Sequence, residues 1–113
     1  MRYGIVGSRT FTDYAKLCDI LIPQVGYITQ IISGGARGAD TLGKNFAMEH
    51  NIPLTEFLPN YDKFGKKAPF VRNKEIVHHS DIIYAFWNGV STGTQHTLDY
   101  AEKRGVKSIV IIF

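Results

Sequence analysis

Three glycines and an aspartate stand together near the middle of the chain, in the segment Ser33–Asp40. This segment follows the β-branched pair Ile31-Ile32 and leads into residues with helical spacing. A glycine turn between a strand and a helix points free backbone N–H groups and the positive end of the helix dipole at one place. Glycine suits such a turn because it has no Cβ to hold an anion away from the backbone. The segment therefore predicts a phosphate-binding loop, with a tight β-to-α connection as the alternative.

Two more glycine turns follow other predicted strands, at Gly7-Ser8-Arg9 and between Asn88 and Thr94. In the second of these turns, Gly93-Thr94 offers backbone N–H groups and a hydroxyl to a phosphate, while Ser91 and Thr92 can cap the next helix. Ordinary capping needs only one such hydroxyl. The surplus of glycine, serine and threonine therefore favours phosphate binding at this turn too.

Three other polar or aromatic positions have both a binding and a structural interpretation. Arg72-Asn73 offers a guanidinium for a phosphate and an amide for a base or ribose edge, or it is a surface pair on an amphipathic helix. Asp40 is either a partner of the helix dipole, with Arg37 as a possible ion-pair partner, or an acceptor for a ribose hydroxyl. Trp87 and Tyr61 stack on a base, or they pack with the sheet.

Together these turns and side chains define the candidate ligand-binding site. Its residues are Gly7, Ser8, Arg9, Ser33, Gly34, Gly35, Ala36, Arg37, Gly38, Asp40, Arg72, Asn73, Trp87, Asn88, Ser91, Gly93 and Thr94. The pattern predicts no catalytic residue and no cofactor. It also predicts no metal site, because the four histidines lack metal-like spacing with cysteine or carboxylates.

Strands and helices alternate along the chain. Predicted strands cover residues 3–6, 28–32, 54–58, 82–87 and 108–113. Predicted helices cover 13–22 (capped by Thr12 and stopped by Pro23), 39–50, 69–79 and the stretch from the 88–94 turn to Gly105, and a long loop covers 59–68. Such alternation predicts a single α/β domain over residues 1–113, Rossmann-like and three-layered, with a parallel five-stranded sheet in the order 3-2-1-4-5 and helices on both faces. Ligands of such sheets bind beyond the strand carboxyl ends, where the strand order reverses.

Composition narrows the class of protein. A net charge of +3 and a pI near 9.1 suit an anionic ligand. No apolar run is long enough to cross a membrane, no signal peptide is evident, and the single cysteine, Cys18, cannot form an internal disulfide. We therefore expect a cytoplasmic protein with no membrane partner.

Motifs spread over nearly the whole chain resemble the YspA-type branch of the SLOG superfamily. They are Gly7-Ser8-Arg9 with Phe11, Ser33–Asp40, Gly65-Lys66, Arg72-Asn73, Ala85-Phe86-Trp87 and Gly93-Thr94. The resemblance implies a Rossmann-like fold and a nucleotide-derived ligand, such as a signal related to ADP-ribose or NAD. It also implies a place in bacterial and phage conflict systems, as in anti-defence, and a homo-oligomer, since relatives associate through helices.

Two groups of relatives within that superfamily supply the alternatives. LOG-type phosphoribohydrolases carry a catalytic glutamate three residues after their Gly-Thr, but Thr97 stands there in this chain. We therefore expect a binder that senses or sequesters its ligand, and an N-glycosidic hydrolase using Asp40, Glu75 or a water is the first alternative. The DNA-processing protein A family holds single-stranded DNA, so a nucleic-acid binder using the basic stretch Lys63–Lys74 is the second.

Overall fold

The computed structural model describes residues 1–113 as parallel strands alternating with helices. The strands are β1 (Arg2–Gly7), β2 (Gln30–Ser33), β3 (Leu54–Glu56), β4 (Ile82–Trp87) and β5 (Lys107–Ile112). The helices are α1 (Tyr14–Leu21), α2 (Ala39–Glu49), α3 (Tyr61–Phe64), α4 (Ala68–His79) and α5 (Thr92–Arg104). Two 3₁₀ segments, Ile22–Tyr27 and Gly65–Lys67, follow α1 and α3.

The strands form one sheet in the order β3-β2-β1-β4-β5, which confirms the predicted topology. Every neighbouring pair is parallel, and Gly4 of β1 lies opposite Ile32 of β2 and Ile83 of β4. The chain moves outward from β1 through β2 to β3 and then returns to the other side of β1 with β4. The strand order therefore reverses between β1 and β4, and this is where a ligand site is expected in such a fold.

Helices cover both faces of the sheet, as predicted. One buried cluster packs Ile5 and Phe86 from the strands against side chains of α1 and α2, such as Leu17 and Phe46. The other cluster packs the alternate strand residues, such as Val6, against α4 and α5. Because the central strands are buried on both faces, they are apolar throughout rather than alternating.

Two local predictions differ from the structure. Helix α1 is capped by Asp13 rather than Thr12, since the Asp13 carboxylate accepts a hydrogen bond from the Lys16 amide at 3.1 Å. The predicted loop 59–68 contains the short helix α3, because the Asn60 side chain accepts from the Lys63 amide at 3.1 Å and so caps a helical turn. The predicted third and fourth helices are α4 and α5, and Gly105 ends α5 in the left-handed conformation as expected.

Candidate functional site

A cavity of about 420 Å³ opens beyond the carboxyl ends of β1 and β4, where the strand order reverses. The residues that line it come from the turns after β1, β2 and β4 and from α2, α4 and α5. They are Val6, Gly7, Ser8, Arg9, Thr10, Ala36, Asp40, Pro69, Phe70, Arg72, Asn73, Ile76, Asn88, Ser91, Thr92, Gly93, Thr94 and Thr97. This volume lies within the range of small-molecule sites.

The cavity brings together most of the candidate residues from all three glycine turns. The candidates that line it are Gly7, Ser8, Arg9, Ala36, Asp40, Arg72, Asn73, Asn88, Ser91, Gly93 and Thr94. The candidates that do not line it are Ser33, Gly34, Gly35, Arg37, Gly38 and Trp87. The turns therefore converge, but most of the glycine-rich segment itself lies behind the cavity wall.

The glycines of that segment serve close packing. Gly38 has a φ of 77°, and a Cβ there would collide with the backbone oxygen of Ser8. Gly35 has a φ of 73° and faces the Leu58 side chain, away from the cavity. Trp87 also has a structural role, because its indole N–H donates to the Ser91 carbonyl at 3.0 Å and so holds the turn before α5.

The turn after β2 is already occupied by the protein's own carboxylate. The Asp40 carboxylate accepts a hydrogen bond from the Ala36 amide at 3.1 Å, and Asp40 is only 6% exposed. Arg37 is exposed and forms no ion pair with Asp40. An anion at this turn would be repelled by the Asp40 carboxylate. The free hydrogen-bond donors for a phosphate therefore lie at a different turn from this one.

Those donors lie at the start of α5. Nothing in the protein accepts the backbone N–H groups of Thr92, Gly93 and Thr94, and the Ser91 hydroxyl makes no capping bond to them. The Asn88 side chain accepts from the amides of Val90 and Ser91 at 3.0 and 2.9 Å, so it shapes the turn without covering these three. All three residues line the cavity. The positive end of the helix dipole is therefore open to an anion.

Ser8 joins the three turns that form the cavity. Its amide donates to the Phe86 carbonyl at 2.9 Å, and its hydroxyl accepts from the Asn88 amide at 3.0 Å. Its carbonyl accepts from the Ala39 amide at the start of α2 at 3.3 Å. Since Ser8 is 1% exposed, its main contribution is to position the turns after β1 and β4 against α2.

Two arginines provide the positive charge of the cavity. The Arg72 side chain is held in place by its own hydrogen bonds, from Nε to Asn73 at 2.9 Å and from Nη1 to the Gly34 carbonyl at 2.6 Å. Its Nη2 group has no protein acceptor. Arg9 is exposed and makes no hydrogen bond or ion pair through its side chain. Burial lowers the pKa of Arg72, and repulsion from Arg9 adds to this shift while Asp40 opposes it.

Asp40 is the one carboxylate in the cavity wall. Burial raises its pKa to about 6, while the Ala36 amide, Arg72 and the Gly34 amide oppose that shift. A carboxyl group with such a pKa gains or loses its proton in a mildly acidic medium. Strongly shifted groups of this kind in a cleft are typical of functional sites.

Phe70 lines the site although the sequence patterns did not single it out. Phe70 lines the cavity with 44% of its surface exposed, and its ring meets the edge of the His96 ring at 4.8 Å. It lies three residues before Asn73 on α4, which is the helical spacing that places two side chains on one face. By contrast, Tyr61 lies outside this cavity, in an open pocket at the start of α3.

Thr97, three residues after Thr94 on α5, is a buried residue of the cavity wall. Its hydroxyl donates to the Gly93 carbonyl at 3.2 Å, and its side chain is 2% exposed. Asp99 and Glu75 lie outside the cavity, where Asp99 accepts from Gln95 and Glu75 approaches His79. No three His, Cys, Asp or Glu side chains gather closely enough to hold a metal ion. No helix combines the length and apolar character needed to cross a bilayer.

The fold defines the class of protein. The structure is similar to that of DNA processing protein A from Streptococcus pneumoniae, with a TM-score of 0.82 at 19% sequence identity. The match covers 99% of this chain and 50% of that one, so the chain spans about half the length of its structural relative. The protein thus has a Rossmann-like α/β fold of the kind seen in that protein.

The protein family is identified by a relative of similar sequence. The chain is 33% identical over 117 residues to the Gene 61 protein of Mycobacterium phage D29, and the match covers 96% of this chain and 94% of that protein. No family model matches the sequence. The chain belongs to the family of this phage protein.

Proposed function

We propose that this protein binds a phosphate-containing, nucleotide-derived small molecule at the cavity beyond β1 and β4. The single observation that carries the proposal is the row of three unpaired amides at the start of α5, which open into that cavity. Three adjacent N–H groups and a helix dipole match the oxygens of one phosphate. The ligand class is that of ADP-ribose- or NAD-related molecules and nucleotide signals.

Charge and shape support this site. Arg9 and the free Nη2 group of Arg72 supply two cations in the same cavity, and they repel one another while no anion lies between them. Guanidinium groups suit phosphate because their N–H groups match its oxygens in pairs. Exposed Phe70 provides an aromatic surface for a base. The site thus offers partners to phosphate and base.

The biological role that fits is sensing or sequestration of the ligand in the cytoplasm. The relative from a phage supports a role in the conflict between phage and bacterium, such as anti-defence. The motifs around Ser33–Asp40 favour the YspA-type branch. The cavity lacks a second carboxylate beside Asp40, and this favours binding over glycosidic cleavage, which uses a pair of acids.

The experiment is calorimetric titration of ADP-ribose, cyclic ADP-ribose, NAD and nucleoside monophosphates into the wild type and Gly93→Asp. A Cβ at Gly93 meets nothing within 4 Å, so the new carboxylate has room beside the free amides and takes the place of the phosphate. We expect at least one compound to bind the wild type and to bind Gly93→Asp at least about tenfold more weakly.

Gly26→Asp is the matched control, since a Cβ there also meets open space and the net charge changes equally. It lies in the 3₁₀ segment after α1 and does not line the cavity. Its affinity should stay within about twofold of wild type. Silence across the whole panel, or an equal loss in both variants, would contradict the proposal.

A second candidate function is binding of single-stranded nucleic acid. The segment 61–67 is exposed throughout and holds Tyr61, Phe64 and the lysines Lys63, Lys66 and Lys67. Bases stack on such aromatic side chains while lysines follow the phosphates. The fold likeness to a protein named for DNA processing favours it. A gel shift with a single-stranded oligonucleotide that weakens steeply with added salt supports this candidate, and no shift at low salt excludes it.

An N-glycosidic hydrolase is the remaining alternative, and it rests on Asp40 as the acid. Glu75 lies outside the cavity and is half-buried beside His79 instead. Incubation with nucleoside monophosphates, followed by chromatography for free base, tests this activity directly. Release of base that Asp40→Asn abolishes would make the protein an enzyme.

We also propose that the protein forms a homo-oligomer. Apolar side chains on and next to the edge strand β5 are exposed to solvent. The exposed fractions are 43% for Val110, 57% for Ile112 and 44% for Phe113. An apolar edge strand without proline or a bulge offers free backbone groups to another strand. On the helices, Ile22 and Met48 are also exposed.

A further inference from the structure

Asn73 joins the two parts of the anion site, which are Arg72 and the free amides at the start of α5. Its Oδ1 accepts from Arg72 Nε at 2.9 Å, and its Nδ2 donates to the carbonyl of Gly93 at 3.3 Å. Asn73 is 6% exposed, so its amide group depends on partners within the protein. One buried side chain therefore ties the arginine to the helix end.

His96 accepts the second proton of that amide. An Nδ2 group carries two protons, and the Gly93 carbonyl takes one of them. The other partner of Nδ2 is Nδ1 of His96, at 3.4 Å. His96 is half-buried on α5, one turn after Gly93, and it does not line the cavity. It completes the hydrogen bonding of Asn73 from outside the cavity.

This contact requires a neutral His96 ring. Because Asn73 donates, Nδ1 must be an unprotonated acceptor, and the ring proton is then on Nε2. Protonation turns Nδ1 into a donor that faces another donor. Turning the Asn73 amide over does not relieve the conflict, since Nδ2 would then face Arg72 Nε and Oδ1 would face the Gly93 carbonyl.

The surroundings of His96 favour the neutral ring. Its centre lies 4.8 Å from that of the Phe70 ring on α4. The charged groups that act on it are Lys74 of α4 and Asp99 of α5. Burial lowers the pKa of His96, Lys74 lowers it further, and Asp99 opposes the shift. The acceptor form is therefore the one present at neutral pH.

We propose that His96 is a positioning residue of the anion site, because its neutral ring fixes the Asn73 amide that in turn holds Arg72 in the cavity. The inference rests on the proposed function, and it adds a residue outside the cavity and a dependence on protonation. Without the His96 acceptor a buried N–H is left unpaired, which is unfavourable. The amide then turns away and releases Arg72 Nε.

The test is the exchange of the Arg72 Nε proton with water, measured by NMR near neutral pH without ligand. His96→Phe keeps a ring beside Phe70 but has no acceptor, whereas His96→Gln supplies a carbonyl acceptor that does not titrate. We expect exchange at least about fivefold faster than in the wild type for His96→Phe and within about twofold for His96→Gln. His78→Phe, at an exposed position of α4 outside the cavity, is the matched control and should behave as wild type.

Lowering the pH tests the requirement for a neutral ring, while the ring signals of His96 report its protonation. The ratio of the wild-type exchange rate to that of His96→Gln at the same pH cancels the intrinsic pH dependence of exchange and the titration of Asp40. We expect this ratio to rise at least about fivefold as His96 gains its proton. A ratio that stays constant down to the pH of unfolding overturns the proposal, and this holds also if His96→Phe does not fold.

Sulfate, which keeps its charge over this range, connects the result to the anion site. In titrations followed at the Thr92, Gly93 and Thr94 amides, His96→Phe should bind sulfate at least about threefold more weakly than wild type and His96→Gln. Equal exchange rates in wild type and His96→Phe, fast exchange in both variants, or unchanged sulfate affinity overturns the role of His96 and leaves the phosphate site standing. If sulfate does not shift these amides in the wild type, the proposed phosphate site fails, and the exchange rates still decide whether His96 positions Arg72.

Discussion

At the scale of single residues, the cavity wall contains one buried carboxyl group, that of Asp40. Its carboxyl group is buried, and Arg72 lies near but does not pair with it. Burial raises its pKa from 3.8 to about 6. Such a shift means that the folded state disfavours the charged form relative to the unfolded state. The folded protein thus bears a free-energy cost at neutral pH for keeping this carboxyl group charged and buried.

This cost predicts that Asp40→Asn stabilises the fold at neutral pH, since Asn can still accept from the Ala36 amide. Between pH 3.8 and about 6 the Asp40 carboxyl group is more protonated in the folded wild type than in the unfolded chain, so the contribution of Asp40 to stability falls as pH rises through this window. Above about pH 6 the full loss of stability caused by the charged Asp40 is present. The shift corresponds to about 3 kcal/mol.

Urea unfolding of both proteins at two pH values measures this effect. The advantage of Asp40→Asn over wild type should be larger near pH 7.5 than near pH 4, by up to about 3 kcal/mol. Comparing the variant with the wild type at each pH cancels the contributions of all other titrating groups. An advantage that is the same at both values would show that Asp40 has an ordinary pKa.

At the scale of elements, the site depends on how closely α2 approaches the sheet. Gly43 of α2 lies against Ile5 of β1, and a Cβ there would come within 2.8 Å of the Ile5 Cγ2 atom and 2.9 Å of its Cβ. The same helix begins where the Ala39 amide reaches the Ser8 carbonyl. A helix displaced from the sheet would therefore move Asp40 and loosen the turn after β1.

We expect Gly43→Ala to destabilise the protein although alanine favours helices. Alanine gains up to about 1 kcal/mol in helix propensity over glycine. Overpacking against Ile5 costs about 1–3 kcal/mol, so the net effect is a loss of about 1 kcal/mol. Thermal unfolding of Gly43→Ala measures it. Gly93→Ala on α5 is the control, since its methyl meets open space and should not lower the melting temperature.

An unchanged melting temperature in Gly43→Ala would mean that α2 shifts outward at little cost. Ligand affinity distinguishes this case, because an outward shift carries Asp40 away from Arg72. A loss of ligand affinity at an unchanged melting temperature would show that the close packing of α2 positions Asp40 without adding to the stability of the fold.

At the scale of the whole molecule, the two edges of the sheet differ. On one side β3 has only three residues, and short edge strands discourage pairing with other chains. On the other side β5 has six residues, and Lys107 at its start is its one charged side chain. The open edge of β5 is therefore the more favourable place for a second copy of the chain to pair.

We expect the wild type to sediment as a multiple of 12.7 kDa and the double variant Val110→Lys/Ile112→Lys as a monomer. Lysines on an edge strand disfavour pairing because their charges would be buried between the two copies. Met48→Lys on α2 is the matched control and should remain oligomeric. Dissociation by Met48→Lys alone would place the interface on the helices instead, and a monomeric wild type would exclude the oligomer.

Much of the fold was determined by local features of the sequence. Alternating apolar runs and helical spacing, separated by Gly7, Pro23 and Pro69, predicted five strands in the observed order. This succeeds because hydrophobic periodicity and turn residues act over a few positions. The resemblance of the motifs to a known superfamily agreed with the fold. The location of the cavity followed from the topology, since parallel strands end at one edge of the sheet.

The choice between the glycine turns was decided by tertiary structure. Ser33–Asp40 and the turn before α5 are both rich in glycine and small polar residues, yet Asp40 folds back on the first turn while nothing covers the amides of the second. The approach of Phe70 and Arg72 to these turns depends on how α4 packs. The physical reason is that a polar group binds whichever partner the fold brings within about 3 Å, and contacts between distant segments set that distance.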